Sequence, residues 1–157
     1  MFDVTAIGEL LIDMAQSGMS DIGSPIFEAN PGGAPCNVLA MLNKLGRSTA
    51  FIGKVGDDIF GKKLKNIVES SGTDIGGLVF DENVRTTLAF VETDDEYGDR
   101  NFSFYRAPGA DMMLREDEVN IDIIKQSRVL HFGTLSMTHD VVEKATIKAI
   151  ETAKDSD

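Results

Sequence analysis

A chain of 157 residues with 42% apolar side chains is long enough to bury one hydrophobic core. Fifteen basic against twenty-six acidic residues leave a net charge of −11, which repels nucleic-acid phosphates and anionic lipid, so neither is expected as a partner. The lone cysteine, Cys36, excludes an internal disulfide and suits a cytoplasmic location, and no basic leader or apolar run of membrane-span length is present.

In chain order, Val4 to Gly8 and Leu10 to Met14 read as extended, with an interruption near Glu9. Ser17 to Asn30 carries glycine and proline punctuation and reads as a loop or a peripheral strand pair. Pro35 to Leu45 reads as a helix, with proline tolerated in its first turn and Gly46 placed for a left-handed stop. Thr49 to Gly53 is a short strand. The next helix starts at Asp57 or Asp58, puts Phe60, Leu64, Ile67 and Val68 on one face, and closes at Gly72.

Gly77 to Phe80 is extended, and Thr86 to Glu92 is a second β run. Thr93 to Asp99 reads as a turn. Arg100 to Arg106 alternates, so that Phe102 and Phe104 face one way and Ser103 and Tyr105 the other. This hairpin need not belong to the main sheet. Glu118 to Gln126 is expected to be helical, Val129 to Gly133 a strand, and Asp140 to Lys154 an amphipathic helix using Val142, Ala145, Ala149 and Ala153. Alternation of strand and helix implies right-handed crossovers and an α/β fold with a mostly parallel sheet flanked by helices. A parallel sheet stopping after the last helix would expose an edge, so the chain reads as a part of something longer.

Three segments carry candidate chemistry. In Asn30-Pro31-Gly32-Gly33-Ala34-Pro35-Cys36-Asn37, adjacent glycines before a helix let a ligand approach the main chain, and Asn37 offers a donor and an acceptor to the same spot. A bare loop-to-helix turn is the alternative. Asp13, near the end of the first strand region, can accept hydroxyl hydrogen bonds from a polyol, or be a solvated turn carboxylate. Phe102 to Arg106 can close an aromatic face and a guanidinium over a sugar, or pack as a hydrophobic strand. Cys36 lacks a nearby base, since His131 and His139 are distant in sequence, and reads as a small buried thiol. Asp94, Asp95, Glu96 and Asp99 match no calcium loop and read as a solvated tip. Gly53-Lys54-Val55-Gly56 lacks the Gly-Lys-Ser/Thr run of a Walker loop.

Five segments in order resemble the PfkB (ribokinase-like) carbohydrate kinases, and within them the fructokinases: Ile7 to Asp13, Gly32 to Asn37, Phe51 to Gly61, Thr87 to Val91 and Phe102 to Arg106. The resemblance implies a ribokinase-like fold with a small β lid, formed around residues 15–30 and 86–106 of one kinase domain. It also implies an ATP- and Mg2+-dependent transfer of a phosphoryl group to a sugar, most of all fructose, toward which Glu9, Ala34-Pro35 and Phe102 to Arg106 lean by the same resemblance. By position, Asp13, Gly32, Gly33 and Asn37 hold the sugar, and the lid closes over it and pairs two subunits into a homodimer. Phe104 and Arg106 fall where related 2-keto-3-deoxygluconate kinases use lid residues.

Two departures stand out. Leu39 replaces a usual small residue, and the second family signature, Asp-Thr-x-Gly-Ala-Gly-Asp, would lie beyond residue 157. That signature supplies the catalytic base, the anion hole and nucleotide access, and the acidic Mg2+ motif is missing with it. No catalytic residue is therefore assigned here, and the 157-residue chain alone is expected to be inactive. The alternatives are a 2-keto-3-deoxygluconate or other PfkB sugar kinase, and a non-catalytic module that only binds sugar or only pairs through its lid.

Overall fold

The computed structural model describes residues 1–93 and 100–156. The main sheet has four parallel strands in the order β5-β4-β1-β8: β1 (Val4–Ile7), β4 (Thr49–Gly56), β5 (Asp74–Asp81) and β8 (Leu130–Phe132). Alternation along its strands feeds two cores. Ala6 and Phe51 point to one face and join Leu39 of α1 (Ala34–Lys44) and Leu64 and Val68 of α2 (Ile59–Ser70). Ile7 and Ile52 point to the other face and join Ile123 and Ile124 of α3 (Ile121–Lys125) and Val142, Ala145 and Ala149 of α4 (Asp140–Lys154). Each large side chain so buried contributes about 1.5–3 kcal/mol.

Local signals account for most helix ends. Pro35 sits in the first turn of α1, and Gly46 adopts φ 76° just beyond its end. Asp58, rather than Asp57, caps α2, accepting from the N–H groups of Phe60 and Gly61 at 3.0 and 2.9 Å. The same carboxylate accepts from the main chain and hydroxyl of Thr86, which ties α2 to the segment entering the second sheet. Strand β4 continues past Gly53 to Gly56 because Lys54, 3% exposed, is held between Asp81 and Glu118 at 3.0 and 2.9 Å.

Three expectations are corrected. The stretch from Leu10 belongs to a separate strand, β2 (Leu11–Met19), which leaves the main sheet after Glu9. The β run expected from Thr86 starts at Leu88, because Thr86 and Thr87 instead bond to Asp58 and Asp111. The single helix expected over Glu118 to Gln126 is a 3-10 turn, Glu116–Glu118, then a five-residue α3 that begins afresh where Asn120 accepts from the Ile123 N–H.

The second sheet has the order β3-β2-β6-β7, with β3 (Pro25–Gly32), β6 (Leu88–Thr93) and β7 (Arg100–Tyr105). The β2–β3 and β6–β7 pairs are antiparallel, and β2–β6 is parallel. It therefore spans residues 11–32 and 88–105, wider than the 15–30 and 86–106 segments at its first boundary. Most of the turn expected from Thr93 to Asp99, including all four of its acidic residues, lies outside the described residues.

Candidate functional site

Register places the chemistry of the second sheet. Asp13 pairs with Asn30 on one side and Ala89 on the other, and Ala89 pairs with Phe104. Cross-strand partners share a face, so Asn30, Asp13, Ala89 and Phe104 form one row across all four strands. Ala89, between the carboxylate and the ring, is 1% exposed and is covered by its neighbours. The next row on this face includes Phe102, whose ring stacks on Phe104 with centroids 6.1 Å apart. The alternation expected for Phe102 and Phe104 against Ser103 and Tyr105 is present. The opposite face carries its own aromatic chain, Phe27–Phe90–Tyr105, with ring centroids 5.3 and 5.1 Å apart.

Asp13 and the glycine pair are in contact. Gly32 packs so closely on the Asp13 carboxylate that a Cβ there would overlap its Oδ2. Gly33 has φ 118° and lies against the Glu9 carbonyl, again with no room for a side chain. Both glycines are therefore required by the backbone they occupy. Asp13 is half-buried without a hydrogen bond from the described residues, and burial raises its carboxyl above the ordinary range. Such a carboxylate gains from any hydroxyl donor that reaches it. Asn37 is exposed one turn into α1, where its N–H donates to the Gly33 carbonyl at 3.1 Å.

Arg106 does not stand free. Its guanidinium, 10% exposed, bonds Asp111 through Nε at 2.8 Å and Nη2 at 2.7 Å. It also donates to the Leu135 carbonyl and the Thr138 hydroxyl. Most of its donors are thus committed within the protein, and Asp111 in turn accepts from the Thr87 hydroxyl. Cys36 packs against the core of the α1 side, and burial followed by the Glu9 charge pushes its thiol far above the ordinary range.

One residue of the row was not singled out by sequence, and one was given only part of its place. Ala89 was invisible because its role depends on register. Glu9 was marked as a break between strands and as one of the positions that lean toward fructose, but not as a contact of the glycine turn; it is 6% exposed and its Oε1 accepts from the Ala34 N–H at 3.0 Å. A buried acid between two strand segments was the available signal.

No group of three or more His, Cys, Asp or Glu side chains that could hold a metal ion occurs among the described residues. No helix among them is long and apolar enough to cross a membrane.

The family described as pfkB family carbohydrate kinase matches the chain over residues 1–157. Among curated proteins, the chain is 44% identical over 155 residues to a fructokinase-1 of Zea mays, covering 98% of this chain and 48% of that protein. It is 45% identical over 155 residues to a probable fructokinase-5 of Arabidopsis thaliana, with the same coverage of 98% and 48%. The chain spans about half the length of the curated relatives it matches. Among solved structures, a fructokinase from Xylella fastidiosa superimposes with TM-score 0.91 at 31% identity, covering 99% of this chain and 48% of that one. A putative ribokinase II from E. coli, solved with ATP and Mg2+, superimposes with TM-score 0.88 at 28% identity, covering 99% and 50%.

Proposed function

The chain belongs to the pfkB family of carbohydrate kinases, and from that premise we propose that it supplies the sugar-holding half of an ATP-dependent fructokinase. The observation that carries this reading is the row on the second sheet, where the Asp13 carboxylate, backed by Gly32, faces along the same side as Phe104. A polyol needs acceptors for its hydroxyls and an apolar surface for its C–H face, and this row offers both. The curated fructokinases at 44 and 45% identity support fructose as the sugar. Arg106 supports a neutral sugar over an acidic one such as 2-keto-3-deoxygluconate, because its charge is already matched by Asp111.

In the reaction, the sugar hydroxyl oxygen bonds to the γ-phosphorus of ATP and the bond from that phosphorus to the β–γ bridging oxygen breaks. ADP leaves, and the hydroxyl proton passes to a base; this chain assigns no such base. Its own residues bind and orient. Asp13 accepts sugar hydroxyls, the main chain at Gly32 and Gly33 permits close approach, and Asn37 adds a donor and acceptor. Phe104 covers the sugar's apolar face, and Arg106 braces the end of β7 and reaches the sugar with its remaining capacity. The second sheet acts as a lid that keeps water from the transferring phosphoryl group. Its opposite face, with Phe27 and Tyr105 exposed, pairs with a second copy in a homodimer located in the cytoplasm.

The test is sugar phosphorylation by the intact protein that carries this sequence, with Asp13→Asn beside it. Fructose is expected as the preferred acceptor. The variant should raise the fructose KM on the order of 100-fold, about 2.7 kcal/mol, while the ATP KM stays within about twofold. An unchanged fructose KM removes Asp13 from the site, and turnover of 2-keto-3-deoxygluconate in preference to fructose overturns the substrate.

A further inference from the structure

Glu9 occupies the step between the two sheets, after β1 has ended at Ile7 and before β2 begins at Leu11. It grips the glycine turn from two sides. Its main-chain carbonyl lies directly under Gly33, closely enough to exclude any side chain there. Its Oε1 accepts from the Ala34 N–H at 3.0 Å, the first residue of α1. The second oxygen, Oε2, is buried and has no hydrogen-bond partner among the described residues, and an added Cβ at Gly133 would lie 3.1 Å from it.

A carboxyl group held this way costs stability. Burial is the main force raising its pKa; the main-chain N–H groups of Glu9 and Ala34 oppose the rise, Asp111 adds to it, and Arg106 opposes it more weakly. Buried polar atoms without partners are uncommon, and an apolar residue of similar volume would remove that cost while losing only the bond from Ala34. The position of the other oxygen accounts for an acid here better than stability does.

We infer that Glu9 is a positioning residue for sugar binding, fixing the Gly32–Gly33 turn against α1 through the Ala34 N–H so that the turn and Asp13 hold one geometry. This rests on the sugar-holding reading of that turn, and the experiment separates the two. Glu9→Met keeps the volume and removes the acceptor. Glu9→Gln keeps an oxygen that can accept from Ala34 while placing an amide at the second oxygen's site. Both are made in the intact protein and followed by thermal melting, by fructose affinity and KM, and by amide exchange at Ala34 without ligand.

Glu9→Met is expected to melt no lower than the parent, to weaken fructose about tenfold with the ATP KM unmoved, and to speed exchange at Ala34 about tenfold. Glu9→Gln is expected to stay within about threefold of the parent in each. A purely structural role would lower the melting temperature of Glu9→Met and leave fructose affinity unchanged, which overturns the inference. Equal loss in both variants also overturns it, because the second oxygen would then be the one that matters. If Glu9→Met does not fold, Glu9→Gln decides: loss of Ala34 protection or of fructose affinity there overturns the clamp. If the parent binds no sugar, the sugar-kinase reading falls, while Ala34 exchange still tests the clamp on its own.

Discussion

Strands β4 and β3 have eight residues each and opposite fates. Every residue of β4 is buried, whereas β3 buries only its last, Gly32. The main sheet is built by burial, with helices on both faces and side chains chosen for volume. The second sheet is built by its hydrogen-bond ladder, and large apolar side chains such as Ile26, Phe102 and Tyr105 remain at its surface. Burial explains the first set of side chains. It explains only part of the second, where Ile12, Met14 and Leu88 join the core on the α1 side while much of the rest of the sheet stays at the surface. Stability should therefore reside in one sheet and ligand contact in the other.

The largest expected effect tests the first half of that division. Phe51 is fully buried between strand and helices, and its ring lies over Gly53, where an added Cβ would be 2.6 Å from it. Phe51→Ala should cost about 3–5 kcal/mol of unfolding free energy by removing transfer energy and leaving a cavity. Urea unfolding followed by circular dichroism measures it. A loss below about 1 kcal/mol would mean that the main sheet is not the stability core.

Asp58 sits at the seam, capping α2 while holding Thr86 at the entrance to β6, and its effect should be intermediate. Burial pushes its carboxyl up, but bonds from the main chain of Thr86, Gly61 and Phe60 and from the Thr86 hydroxyl outweigh that and leave it below the ordinary range. Asp58→Ala should cost about 2 kcal/mol near neutral pH, the upper end for a lost helix cap. The sign of the pH dependence follows from the lowered pKa. Between the folded and the ordinary unfolded value of about 4, the unfolded chain holds more protons, so the Asp58 contribution is complete above that value and fades on acidification. The gap between parent and variant should narrow from pH 7 to pH 3; a gap constant across that range would mean the carboxylate's charge plays no part.

How much of this was legible in the sequence follows the same division. The main-sheet strands and helices α1 and α2 announce themselves by apolar runs, by Asp58 and by Gly46, because burial and capping are local and periodic signals. The glycine pair and Asp13 were also readable as candidates. Their contact was not, since Asp13 turns out to sit on β2 of the second sheet and meets Gly32 only through β2–β3 pairing. The row through Ala89 depends on a parallel pairing between strands some seventy positions apart, as Asp13 and Ala89 are numbered, and no window along the chain displays it. Glu9 reads as a strand break and, by resemblance, as a position leaning toward fructose, but its contact with Ala34 shows only in the fold. The helix expected at Glu118 failed because capping by Asn120 restarts the backbone where periodicity alone saw one run.

The smallest expected effect is the sharpest test of the division, because it uses two neighbouring residues. Phe104 and Tyr105 are adjacent, both exposed, at 49% and 69%, and they point to opposite faces of the second sheet. Neither is buried enough to contribute much to folding, so each alanine variant should lose less than about 1 kcal/mol of stability. Their functional effects should part by face. Phe104→Ala removes the ring in the Asp13 row and should raise the fructose KM about threefold to tenfold, the range of one aromatic contact. Tyr105→Ala should leave that KM within about twofold and instead weaken self-association, read by sedimentation at several protein concentrations. If Tyr105→Ala moves the KM as much as Phe104→Ala does, the two faces of the second sheet are not separate surfaces, and the sugar row and the pairing face must be one.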